Sequence, residues 1–462
     1  MNNNSDMKPM TLRQAADACN GILTGPEGCE NMIIRNITID SRKVSDGFLY
    51  IPIKGERFDG HDFIKSAFEN GALCTLSEHA DAETDRPQIT VSSTSKALRD
   101  IAGFYRSLFK TMIIGISGSS GKTSTKEMIA SVLSPSMCVL KTQGNLNNEI
   151  GVPQTLFRLR DEHQAAVVEM GINHFGEMTN LAQMVRPDIA VITNIGCAHL
   201  EFLGSRDGIL KAKTEMLPYL SPDGCAVLNG DDDKLITVDS VKTCFFGLGN
   251  GNSYHAEDIK QCGFDGTQFT LVHAQQRLEA FVPALGNHMI MNALAGFAIA
   301  KLLGIEDDKA LEGIRNFKNI DGRFNVIHLS DKTIINDCYN ANPESVNASL
   351  NVMSTLEGRK VAVLADMKEL GENSEKMHII TGEHAAMKTD VLICIGSEAK
   401  YMEQGAKKSG NDCEVHHFDS NTDAIKALPQ IIRKNDVILV KGSHSMKLEE
   451  ITAALKEMPV IK

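Results

Sequence analysis

The chain has 462 residues, too many for one ordinary hydrophobic core and enough for about three domains at the usual ~100–200 residues each. Its 42% hydrophobic and 23% charged residues are those of a soluble globular protein, and a net charge of -12 with no tryptophan speaks against a nucleic-acid-binding surface. Eleven cysteines without a Cys-x-x-Cys pair fit reduced thiols, the polar start lacks a secretion signal, and no apolar run approaches the ~20 residues of a membrane span, so a cytoplasmic location is expected.

Residues 1–107 mix short apolar stretches such as 48–53 with a helical one at 63–70, punctuated by glycines, and read as a small α/β domain. A new regime begins at Met112, where residues 113–116 run into a serine- and glycine-rich turn and then a helical pattern over 123–133. Apolar runs of strand length follow at 165–168, 189–193 and 225–228, spaced for parallel βαβ units, and 289–303 reads as a helix stopped by Gly304. Residues 108–318 are therefore expected to form a nucleotide-type parallel-sheet domain. After Gly322 and Arg323 the pattern restarts with runs at 333–335, 361–365, 391–395 and 437–440, a third α/β domain over 319–462.

The strongest local signal is Gly115-Ile-Ser-Gly-Ser-Ser-Gly-Lys-Thr123. Here Gly118, Ser119, Ser120 and Gly121 let backbone N–H groups wrap phosphate oxygens, and the helix that starts through Ser124 adds positive potential. Lys122 would face the β- and γ-phosphates, and the Thr123 hydroxyl would ligate magnesium. The spacing departs from the strict phosphate-loop pattern, because Ile116 stands five positions before Gly121. Glu169 ends a strand-length run where parallel sheets bind ligands, and His199 follows the next such run, so both could reach one metal. Taken singly, a solvated glutamate and an ordinary loop histidine remain the alternatives.

Joined to Asn145-Leu-Asn-Asn-Glu-Ile-Gly-Val-Pro153, Glu169-Met-Gly171, Thr193-Asn-Ile-Gly-Cys-Ala-His-Leu-Glu201 and Asp337-Cys-Tyr-Asn-Ala-Asn-Pro343, this loop resembles that of the Mur ligase superfamily, whose extended loop accounts for the spacing. The resemblance runs from about residue 40 to about 446. It implies a UDP-sugar-binding first domain with Ser41 and Arg42 in the uridine pocket, a central ATPase domain and a Rossmann-like third domain. It assigns Lys122 and Thr123 to ATP and Mg2+, and Glu169, His199 and Lys213 to metal, Lys213 matching a lysine often carbamylated in the family. Lys211 competes for that place, and by helical spacing alone both lysines would be solvated. Asn292 matches an asparagine near adenine, Asp337, Tyr339, Asn340 and Asn342 a nucleotide-contacting segment, and Arg323 an arginine that approaches the ATP phosphates. Lys122, Lys213, His199 and Arg323 are the catalytic candidates.

Within the family, Asn145, Asn147 and Asn148, residues 169–174 and Asp366-Met-Lys-Glu-Leu-Gly371 are similar to members that join D-alanyl-D-alanine to UDP-N-acetylmuramoyl-tripeptide through an acyl phosphate. An Asp-Asn-Pro-Arg segment typical of the third-residue-adding members is absent from the sequence. The chain departs from the family pattern at His288, where an asparagine more often follows the histidine, and at His444, where relatives commonly carry arginine. A monomer is expected. The competing readings are another amide ligase of the superfamily and a regulatory phosphate-loop ATPase.

Overall fold

Short runs rich in Val, Ile and Ala, many of them buried along their whole length, assemble into four sheets among the described residues, as expected for an α/β chain. The structure is a computed structural model that describes residues 7–55, 58–79, 85–197 and 200–459. The largest sheet has nine strands in the order Gln276–Val282, Thr267–His273, Tyr254–Gln261, Thr243–Gly247, Cys225–Asn229, Ile189–Ile192, Met112–Ser117, Ala165–Glu169 and Val139–Lys141. Among the described residues no helix is long and apolar enough to cross a membrane. No disulfide joins the described cysteines.

By compactness the chain divides into one unit built from residues up to 117 with 136–191 and 214–226, and a second built from 118–135, 192–213 and 227 onward. The first holds a five-stranded sheet, ordered Ile22–Thr24, Gln88–Thr90, Ala72–Ser77, Phe48–Tyr50 and Asn36–Thr38. Its longest helix, Thr94–Ser107, starts at Ser93, whose side chain accepts the Lys96 N–H. Leu98, Ile101, Ala102 and Tyr105 recur at helical spacing and are fully buried, which seats this helix on the core. The strand Met112–Ser117 pairs in parallel with Ala165–Glu169, placing Glu169 at the carboxyl end opposite Ile116.

In the second unit a six-stranded sheet runs Asn325–His328, Lys332–Asn336, Asp436–Lys441, Lys360–Ala365, Val391–Ile395 and Glu414–Phe418. Apolar side chains on its two faces form separate cores with helices on both sides. The helix Asn287–Leu302 is buried nearly all round and lies against Lys122–Leu133, where a Cβ on Gly296 would come within 2.9 Å of Val132. One feature differs from the sequence expectation of a purely parallel central sheet. Residues 254–282 form an antiparallel three-stranded ribbon, and its signal was the period-two burial of Thr267–His273 rather than a βαβ spacing.

Candidate active site

The phosphate loop enters the helix Lys122–Leu133 with Gly118 at φ 152° and Gly121 at φ 77°, conformations in which a side chain is strained. A Cβ on Gly118 would lie 1.8 Å from the Thr193 hydroxyl. That hydroxyl donates to the Ser120 carbonyl at 2.6 Å. Asn194 takes both neighbouring amides: its carbonyl accepts the Ser119 N–H at 3.0 Å and its side-chain oxygen the Ser120 N–H at 2.9 Å. The Asn194 amide also donates to Ser120 Oγ at 2.6 Å, and the Gly196 N–H to Ser119 Oγ at 2.9 Å. The backbone N–H groups of Ser119 and Ser120 are thus committed to Asn194, while the helix start carries no side-chain cap and its positive end is where an anion would be favoured.

Lys122 Nζ donates to the Gly118 carbonyl at 2.7 Å, across the mouth of the loop, and Ser124 is half-buried in the first turn. Thr123, largely buried, accepts a hydrogen bond from Arg323 Nη2 at 2.9 Å. The Arg323 guanidinium lies 4.1 Å from the centre of the Tyr339 ring, and the His444 ring lies 5.5 Å from it. Residues widely separated in sequence therefore meet at the hydroxyl proposed for metal.

Around that contact, Asp337 is a brace: it accepts the Phe324 N–H at 3.0 Å, the Ser349 hydroxyl at 2.6 Å and Lys441 Nζ at 2.7 Å. Lys441 also donates to the Asn340 carbonyl. The Asn340 side chain accepts the Ala341 N–H, and Asn342 caps the helix Pro343–Ser354 through a reciprocal pair with Ser345. Asn292 is buried and accepts from the Thr125 hydroxyl at 2.8 Å, clipping two helices together. Burial, helped by Lys441, holds the His288 imidazole below its ordinary pKa and therefore neutral, against the opposing pull of Asp337.

Between the two candidate lysines the structure discriminates. Lys211 is exposed, whereas Lys213 on the same helix Arg206–Thr214 is fully buried, and its Nζ has no hydrogen-bond partner among the described residues. Burial, reinforced by the charge of Lys122, drives its pKa well below the ordinary 10.5. A neutral amine is a nucleophile for carbon dioxide, and the carbamate so formed would supply the hard oxygen donors that magnesium takes.

In the first unit Glu169 is buried, with Oε1 accepting from Asn147 Nδ2 at 2.9 Å and its backbone N–H donating to Thr142 Oγ1 at 3.0 Å. The Asn148 side chain accepts the Gly151 N–H at 2.8 Å and so builds the turn before the helix Gly151–Leu156, and Asn145 is exposed. Ser41 and Arg42 sit on a short turn capped by Asp40, where the exposed Arg42 guanidinium grips the Asp40 carboxylate at 2.8 and 2.9 Å. His199 lies outside the described residues. Among the described residues no three His, Cys, Asp or Glu side chains cluster as a metal site, but the Thr123 hydroxyl and the Glu169 carboxylate are oxygen donors of the kind magnesium selects.

Three Mur ligase domain models match in succession: the family's catalytic domain over residues 33–106, the middle domain over 116–300 and the glutamate ligase domain over 322–444. This chain belongs to the Mur ligase family. It is similar to the UDP-N-acetylmuramoyl-tripeptide–D-alanyl-D-alanine ligase of Bacillus subtilis (strain 168), with 38% identity covering 97% of this chain and 99% of that one. Among solved structures it is similar to MurF from Acinetobacter baumannii, at TM-score 0.91 and 32% identity over 98% of this chain and 100% of that one. A further likeness is to a MurF ligase from Thermotoga maritima in complex with ADP, at TM-score 0.83 and 29% identity over 91% and 97% of the two chains. The protein is thus an α/β Mur ligase, an ATP-dependent enzyme, and Thr193 and Asn194 brace its glycine-rich loop through Ser119 and Ser120. Thr193 and Asn194 have no assigned role from sequence alone; their place directly after a buried strand is the available signal.

Proposed function

We propose that this Mur ligase joins D-alanyl-D-alanine to UDP-N-acetylmuramoyl-tripeptide, making the UDP-muramoyl-pentapeptide precursor of peptidoglycan. The observation that carries the proposal is the near full-length likeness to ligases of that name, in a chain whose phosphate loop meets Arg323 at Thr123. A terminal carboxylate oxygen of the tripeptide attacks the γ-phosphorus, the bond to the β-phosphate oxygen breaks, and ADP leaves an acyl phosphate. The free amine of D-alanyl-D-alanine then attacks the carbonyl carbon, loses a proton and expels inorganic phosphate. Lys122 and the helix N-terminus offset the charge of the phosphates, and Arg323, held over the Tyr339 ring, meets charge developing on the transferred group. Thr123, Glu169, His199 and a carbamylated Lys213 are the residues that would hold magnesium, which screens phosphate charge when bound.

The proposed division of labour is a UDP-sugar domain at 1–107, an ATP domain at 108–318 with Asn292 toward the base, and a third domain at 319–462. Ser41 and Arg42 face the uridine nucleotide, and Asn145, Asn147 and Asn148 the peptide substrate. We place a monomeric enzyme in the cytoplasm, where ATP and nucleotide sugars are made. The test is ADP release by the full chain with magnesium and ATP. Release that needs both the tripeptide and D-alanyl-D-alanine supports the proposal; turnover indifferent to both would favour the regulatory ATPase.

A further inference from the structure

Five consecutive residues, 193–197, embrace the phosphate loop, and they are themselves held by side chains from elsewhere in the second unit. The Ile195 N–H donates to Asp232 Oδ2 at 2.7 Å and the Ile195 carbonyl accepts from Arg206 Nε at 2.9 Å. Next, the Gly196 N–H goes to Ser119 Oγ at 2.9 Å, and the Cys197 N–H to Glu344 Oε1 at 3.0 Å. Glu344 comes from the first turn of the helix Pro343–Ser354, directly after the segment of Asp337, Tyr339, Asn340 and Asn342.

Gly196 runs between Ser119 and Glu344 with no room to spare: a Cβ there would be 3.2 Å from the Glu344 carboxylate and 3.4 Å from Ser119 Cβ. The other carboxylate oxygen, Oε2, is buried and has no hydrogen-bond partner among the described residues. Burial, with the nearby Glu344 carboxylate adding to it, pushes the Cys197 thiol up to about 11, so the thiol stays protonated beside it. A carboxylate kept buried with one oxygen unsatisfied is a poor choice for stability alone.

We infer that Glu344 is a positioning residue for phosphoryl transfer. By taking the Cys197 N–H it fixes segment 193–197 against the phosphate loop, so that the helix carrying the third region's nucleotide segment and the loop that grips phosphate move as one. Its effect passes through Gly196 to Ser119, and through Asn194 to Ser120. This rests on the ligase reading above, and wild-type product formation checks that reading first.

The experiment compares the full-length wild type with Glu344→Gln, Glu344→Asp and Glu344→Ala, following ADP release with all three substrates and thermal melting. Glutamine keeps an acceptor oxygen at the same reach, so E344Q retains most of the turnover. Aspartate keeps the charge and the favourable place at a helix N-terminus but withdraws the oxygen, so E344D and E344A lose kcat by ~10–100-fold, the scale of a misplaced reacting group. KM for ATP rises in both, and KM for the UDP-tripeptide does not move. The reverse order, with E344D active and E344Q not, would overturn the inference in favour of a helix-end charge, and so would E344A turning over within about twofold of wild type. If E344A fails to fold, the order of E344Q and E344D still decides. A wild type that forms no peptide product would instead sink the ligase reading.

Discussion

Replacing Lys213 by methionine tests the meaning of its burial. The side chain is fully buried and its amine has no hydrogen-bond partner among the described residues, and methionine offers similar length and no polar atom. Removing an unsatisfied buried donor is worth about 1–3 kcal/mol, and in a domain of this size each kcal/mol moves Tm by roughly 2–4 °C. Lys213→Met is therefore expected to melt several degrees above wild type at pH 7 in carbon-dioxide-free buffer, while losing ligase activity. The gain depends on pH in a definite direction. Because the folded pKa lies well below 10.5, the unfolded chain alone holds the proton between those two values. Wild-type stability consequently rises with pH across that window, and the advantage of K213M shrinks as pH climbs toward 10.5. Differential scanning calorimetry at several pH values measures it. A variant less stable than wild type at pH 7, or a difference indifferent to pH, would refute the reasoning.

Three other outcomes are expected. Gly118→Ala drives a Cβ into the Thr193 hydroxyl and should cut turnover by ~100-fold or more with the fold retained by circular dichroism; a normal KM for ATP in that variant would contradict the loop geometry. Asn292→Ala removes one of two acceptors of the Thr125 hydroxyl, which keeps the Gly121 carbonyl, and should lose about 0.5–1.5 kcal/mol in urea unfolding; a rise in KM for ATP measured beside it reports the proposed adenine contact. Arg323→Lys removes the planar guanidinium that lies over the Tyr339 ring and should lower kcat at least ~10-fold with unchanged melting, whereas an unaltered kcat would remove Arg323 from the transfer step.

Much of this arrangement was legible in the residues themselves. The run over 113–116 into Gly118-Ser-Ser-Gly-Lys-Thr123 announces strand, loop and helix because a phosphate grip needs each part, and Val391–Ile395 appears as a strand with the bounds its apolar run suggests. Glu169 at a strand end follows from the same logic. What was not legible depends on long-range contact. Lys211 and Lys213 differ by two residues on one helix, and only packing decides which is buried. Asn342, matched to a nucleotide-contacting segment, and Asn148, matched to the peptide substrate, also cap local backbone in the fold, a second use that sequence does not distinguish because asparagine side chains serve the backbone equally well. Glu344 follows a proline at a helix start, where acidic residues are common for their own reasons, so its link to Cys197 carries no sequence signal.

Activation of a carboxylate as an acyl phosphate is the claim on which the account turns, and an isotope measurement tests it directly. UDP-muramoyl-tripeptide labelled with oxygen-18 in its terminal carboxylate is incubated with the enzyme, ATP, magnesium and D-alanyl-D-alanine, and the products are separated and weighed by mass spectrometry. The account predicts one labelled oxygen in the inorganic phosphate for each pentapeptide formed, with none in ADP. Label in AMP, or pentapeptide formed beside unlabelled phosphate, would contradict it.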